Sequence, residues 1–141
     1  MPDIKMKEIL AEMLGAMAGT WCIVVADNDG MLLSSWTSAD NKLPPEMLCG
    51  FIQTINDTID AFKKSTATFG KLDDVIYSLA FSYVVIKAIA DGACFMVINA
   101  PKSVPLGIIR TQASIFAPKL EQALPGREPI PNRDSMGTVI R

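Results

Sequence analysis

After Pro44 and Pro45 the chain runs to residue 68 with Gly50 as its only further glycine or proline, and a proline pair suits the first turn of a helix. The pattern predicts one long helix over 45–68, about 36 Å at 1.5 Å per residue. Its apolar positions Leu48, Ile52, Ile55, Ile59 and Phe62 alternate in steps of four and three, which keeps one seam on one side, widened by Phe51. Gln53, Asn56, Asp57, Asp60, Lys63 and Lys64 fall on the opposite side. Between them lies a third strip, Gly50, Thr54, Thr58, Ala61 and Ser65, whose small side chains let a second helix approach closely. One sheet contact uses only the seam. The spare non-polar surface points to a dimer, because an exposed apolar patch of that size is a liability in a monomer.

The flanking segments supply a sheet and two more helices. Met6, Ile9, Leu10, Met13, Leu14 and Met17 recur at helical spacing, predicting an amphipathic helix over 4–18 that Gly19 ends. Trp21 to Ala26 and Met31 to Trp36 read as two strands around Asp27-Asn28-Asp29-Gly30. Gly70 closes the long helix, and apolar runs follow at 72–79, 83–89 and 94–99. Asp91-Gly92 between the last two is a two-residue hairpin signal. Pro101 and Pro105 frame a loop, after which Ile109, Ala113, Phe116, Leu120 and Leu124 restore the helical period over 106–124. Pro118 lacks the N–H for the Ser114 carbonyl and is expected to kink or end that helix. Residues 125–141, rich in proline and arginine, read as a flexible tail.

Composition narrows the chemistry. The 141 residues suffice for one domain, and with 50% hydrophobic residues most of the chain can bury a core. A net charge of −2, from 13 basic and 15 acidic residues, lacks the footprint of a nucleic-acid binder. There is no histidine, which removes the commonest general base and the Ser-His and Cys-His nucleophile pairs. Cys22, Cys49 and Cys94 sit in apolar runs without C-x-x-C spacing, so they point to buried packing in a reducing compartment rather than to a metal site or redox sensor. No phosphate-cradling glycine motif is present, nor an apolar run long enough to span a membrane. The Asp27–Gly30 segment invites a calcium reading, but Met31, Leu32 and Leu33 follow where the ligand loop should continue, and Asx and glycine turn chemistry accounts for it. Asn56-Asp57-Thr58 matches a glycosylation acceptor by chance within a helix. Trp36 is either an exposed contact residue or a cap on the core. Arg110, Arg127, Arg133 and Arg141 are the only arginines; any one can act on a bound phosphate in trans, though surface arginines more often salt-bridge.

Three segments in order resemble the roadblock family of dynein light-chain-like proteins. They are Ala18-Gly19-Thr20 leading through Trp21–Ala26 and Asp27–Gly30 to Met31-Leu32-Leu33, then 83–89 with Asp91-Gly92 and 93–99, and Pro105-Leu106-Gly107-Ile108-Ile109-Arg110 opening the last helix. The resemblance implies a roadblock/profilin-like α/β sandwich over residues 1–124: a five-stranded antiparallel sheet with the long helix on one face and the terminal helices on the other. It implies a homodimer with the long helices antiparallel and the third strands, carrying Val75 and Tyr77, joined edge to edge beside the Gly50–Ser65 strip. It further implies a non-enzymatic cytoplasmic regulator or adaptor of a small Ras-like GTPase, without catalytic residue, metal or cofactor. Gln53, Asn56, Asp57, Asp60 and Lys64 then offer the partner a mixed-charge platform; the same residues also fit a plain solvated face. The alternative functions are a structural scaffold bridging larger proteins and a small-molecule sensor domain.

Overall fold

A computed structural model describes residues 2–62 and 65–124. Helix α1 (Pro2–Leu14) leads into strands β1 (Cys22–Asp27) and β2 (Leu32–Thr37), then α2 (Pro45–Cys49), α3 (Phe51–Phe62) and the short α4 (Thr66–Phe69). Strands β3 (Asp74–Ser78), β4 (Ser82–Ile89) and β5 (Cys94–Pro101) follow, and α5 (Leu106–Gln122) completes the domain. The five strands form one antiparallel sheet in the order β2-β1-β5-β4-β3. The first hairpin and the last two strands thus meet at β1 and β5, leaving β2 and β3 as the edges.

Alternation along the central strands divides the interior in two. Ile23, Val25, Val85, Met96 and Ile98 face α1 and α5, whose Met6, Leu10, Met13, Ile109, Phe116 and Leu120 complete one core. Cys22, Val24, Val84, Ile86, Phe95 and Val97 face the other way, against Leu48 of α2 and Ile52 and Ile55 of α3. The predicted layers are therefore present, with the helix after Pro44 and Pro45 on one face and the terminal helices on the other. Trp36 packs against the first core as a half-buried residue, which decides between its two readings.

Local chemistry explains both the agreements and the departures. At the first hairpin Asp27 Oδ1 accepts from the N–H groups of Asp29 and Met31, each at 2.9 Å, and Gly30 takes φ +84°. This is the Asx-plus-glycine turn expected of these residues. The helix predicted over 45–68 is divided: Gly50 caps α2 with its N–H on the Met47 carbonyl, a tighter i−3 bond, and α3 begins one residue later. Residues 63–64 lie outside the description, and α4 ends at Phe69 before Gly70 with φ +84°. The Asp91-Gly92 signal resolves not as a two-residue turn but as a 3₁₀ turn, Ala90–Gly92, beyond the last pair Ile89–Cys94. Helix α1 stops at Leu14, four residues short of the expected end, and successive turns carry Met17 into the core. Strand β3 is shorter than the apolar run 72–79. Pro118 neither ends nor divides α5, since it stands on the exposed side of a helix anchored by Phe116, Ala117 and Leu120.

Leu10 and Ile55 are fully buried on opposite faces of the sheet. Leu10→Ala and Ile55→Ala should each cost about 2–5 kcal/mol in urea unfolding, and because the two cores lie on opposite faces of the sheet the double variant should equal the sum within about 0.5 kcal/mol. A coupling well above that would show that the two cores do not act independently.

Candidate interaction surface

The sheet spends both faces on its helices, so functional surface has to come from the outer flanks of those helices and from the open strand edges. The flank of α3 turned toward β3 carries the small-residue strip. Thr54 and Ala61 are exposed, Thr58 and Ser65 half-buried, and Gly50 exposed at the α2–α3 junction. Thr58 turns its hydroxyl back to the Thr54 carbonyl at 3.0 Å, so the strip presents its methyl group rather than a free donor. Val75 and Tyr77 lie on the adjoining edge strand, half-buried against the α3-side core, with the Tyr77 ring 5.1 Å from that of Phe51. Strip and edge strand meet at one end in an apolar cleft of about 480 Å³. Thr58, Ile59 and Phe62 of α3, Phe69 of α4, Leu72 and Ala88 wall it, and Lys71, Asp73 and Asp91 stand at its rim. Lys71 and Asp91 pair across that rim at 3.3 Å. Phe62 and Phe69 were not singled out from the sequence as functional. The available signal was an aromatic residue at the end of the seam and another just before Gly70, both beyond what the sheet can cover.

The predicted partner platform is only partly free. Gln53, Asp57 and Asp60 are exposed together on the outer side of α3. Asn56 instead donates its side-chain amide to the Asn28 carbonyl at 2.6 Å, tying α3 to the β1–β2 turn. Lys64 lies outside the described residues, as do Arg127, Arg133 and Arg141. Arg110, the remaining arginine, is committed on the other side of the β3 edge, where Nε and Nη2 reach the two Asp74 carboxylate oxygens at 2.9 and 3.2 Å. That bond and the Asp74 charge raise the Arg110 pKa. Next to it, Lys87 is a buried strand lysine whose ammonium is paired with Asp73.

All three cysteines are buried and unpaired. Burial, reinforced by the neighbouring Cys49, pushes the Cys22 thiol up to about 11, and burial pushes Cys94 up to about 12. Cys49 is raised by burial and by the charges of Glu46 and Asp27. These are packing thiols held in the neutral form. Among the described residues no cluster of acidic, cysteine or histidine side chains is placed to hold a metal ion, and no helix is long and apolar enough to cross a membrane.

No family model matches the sequence, and no curated protein does. Solved structures do. The chain superimposes on an MglB with a tetrameric arrangement at TM-score 0.71 and 16% identity, over 86% of this chain and 89% of that one. The gliding protein mglB from Thermus thermophilus gives 0.71 at 14% identity, covering 86% and 90%. A Roadblock/LC7 domain from Streptomyces avermitilis gives 0.61 at 11%, covering 80% and 92%. The chain has the Roadblock/LC7 fold. Within it β2 and β3 are the sheet edges, the outer flank of α3 is exposed, and the buried thiols belong to the interior.

The thiols set a pH limit. Each keeps its proton in the folded state while the unfolded chain begins to lose it near the ordinary value of 9.0, so their contribution to stability is complete below that value and falls as pH rises toward 11–12. Unfolding free energies from urea titrations should therefore fall between about pH 8 and about pH 10, by up to about 1.4 kcal/mol per pH unit for each of Cys22 and Cys94, and Cys94→Ala should flatten the slope. An unchanged slope in that variant would place the loss elsewhere.

Proposed function

We propose that the protein is a non-enzymatic, homodimeric regulator or adaptor of a small Ras-like GTPase, working in the cytoplasm. The observation that carries this reading is the apolar α3 flank beside the open β3 edge. Both are surfaces that a lone domain leaves wet and that a second copy can cover at once. The fold shared with MglB structures, one of them tetrameric by its description, supports association, and the resemblance to the roadblock family is what suggests a GTPase as the partner class. A binding role also agrees with the chain's chemistry, since the cysteines are buried, Arg110 is bonded to Asp74, and the sequence has neither histidine nor a phosphate-binding loop.

Pairing two α3 helices along the strip turns Gln53, Asp57 and Asp60 of both copies outward, as part of the mixed-charge platform offered to the GTPase. Light scattering at tens of micromolar should give twice the 15.3 kDa chain mass. Reversing both charges, Asp57→Lys with Asp60→Lys, should leave that mass intact and change stability by no more than about 0.5 kcal/mol. Capture of a Ras-like GTPase should slow roughly tenfold at low salt, with the effect shrinking as salt rises. Capture that is unchanged at low salt would remove this platform from the reading, and a monomeric mass would remove the dimer.

A further inference from the structure

We propose that the cleft at the end of α3 is filled by Met47 from α2 of a second copy. The inference rests on the homodimer proposed above and adds its register and its principal apolar contact. Gly50 keeps α-helical angles, φ −62° and ψ −23°, so the helical period carries from α2 into α3 across the junction. At about 100° per residue, Met47, Thr54, Thr58 and Ala61 then share one flank. The cleft opens on that same flank, because Thr58 and Phe62 line it.

The two ends of the flank are unlike, and they complement each other. One end carries a convex apolar residue, Met47, 60% exposed; the other carries the cleft, with Phe62 58% and Phe69 74% exposed around it. Between them stand only small side chains. An antiparallel pair with its two-fold axis at Thr54 sets Met47 of each copy opposite Ala61 of the other and Gly50 opposite Thr58. Close approach at the centre is thereby possible, and each bulky end meets the other copy's hollow. A parallel pair would instead set Met47 against Met47 and leave both clefts open. Methionine is suited to such a contact, because an unbranched thioether adapts to an irregular apolar wall and gains from aromatic neighbours.

On one side of the cleft Ala90 and Asp91 take φ of 53° and 57°, and Gly92 follows at 91°, a left-handed run that the exposed Lys71–Asp91 pair spans from outside.

Disulfide trapping in the full chain tests the register. Met47→Cys and Ala61→Cys chains, one of them tagged, should on mixing and mild oxidation give a cross-linked heterodimer about tenfold above either variant alone, because only the antiparallel pair brings these positions within disulfide reach. Thr54→Cys, on the axis, should cross-link to itself. Self-linking of Thr54→Cys without the Met47–Ala61 link would overturn the plug and leave the dimer standing; a monomeric mass by light scattering would overturn both. A second readout uses 1-anilinonaphthalene-8-sulfonate. Met47→Ser should open the cleft and raise the dye's fluorescence severalfold over the wild-type dimer. Equal dye binding by the two proteins would mean that the cleft is open in the dimer, overturning the proposal in favour of a small apolar ligand.

Discussion

Burial of β5 on both faces is the constraint from which the rest of the structure follows. Every residue from Cys94 to Ala100 is buried, and the strand is hydrogen-bonded to β1 on one side and β4 on the other. A strand in that position needs a helical layer above and another below, since its alternating side chains enter two separate cores. The outer elements are arranged to provide them. α1 and α5 close one side and α2 and α3 the other. The one polar side chain in the buried stretch, Asn99, sits near the end of the strand, where its backbone carbonyl still accepts from the Trp21 N–H.

Using both sheet faces leaves little room for a chemical site and much for contact. The described hollows lie at the periphery. One is the apolar cleft beyond α3, the other a shallow depression where Arg110 and Asp74 are already bonded to each other. Two polar groups that sequence alone suggests are free to act are engaged in holding elements together, Asn56 on the first turn and Arg110 on the β3 edge, and Lys87 is likewise paired with Asp73. Exposed apolar residues are the reverse case. Phe62 and Phe69 add nothing to either core, and their exposure has a physical justification only if another surface covers them.

The parts of this fold that were legible in the sequence are those set by short-range chemistry. Asp27 and Gly30 specify their turn because carboxylate and glycine satisfy the backbone locally, and the seam from Leu48 to Ile59 specifies which side of its helix meets the sheet, while Phe62, the last seam residue, is left exposed. What was not legible depends on partners distant in sequence. Asn56 has the spacing of a surface residue, and only the approach of the turn 28 positions earlier gives its amide a carbonyl. Lys87 lies in an apolar strand yet keeps a place for its charge because Asp73 sits beside it at the sheet edge. Gly50 was visible as an interruption, but whether a lone glycine bends, caps or passes through a helix depends on packing that periodicity does not contain; here it caps α2 without leaving α-helical angles. The cleft was illegible for the same reason, being assembled from α3, α4, the approach to β3 and the β4–β5 turn.

These constraints also bear on how such a domain can be switched. The chain has no histidine, and burial puts the Cys22 and Cys94 thiols at about 11 and 12, so neither group changes charge near neutral pH. The same burial keeps the thiols from acting as ready nucleophiles toward oxidants. The pairing proposed for the α3 flank and the β3 edge requires neither group to change charge. A surface of small side chains suits that pairing, since it brings two backbones close without committing many rotamers, and the energy of the contact is concentrated in the few bulky groups at its ends. In the pair proposed above, a partner that displaces those end groups meets only a local contact before it reaches the rest of the helix layer.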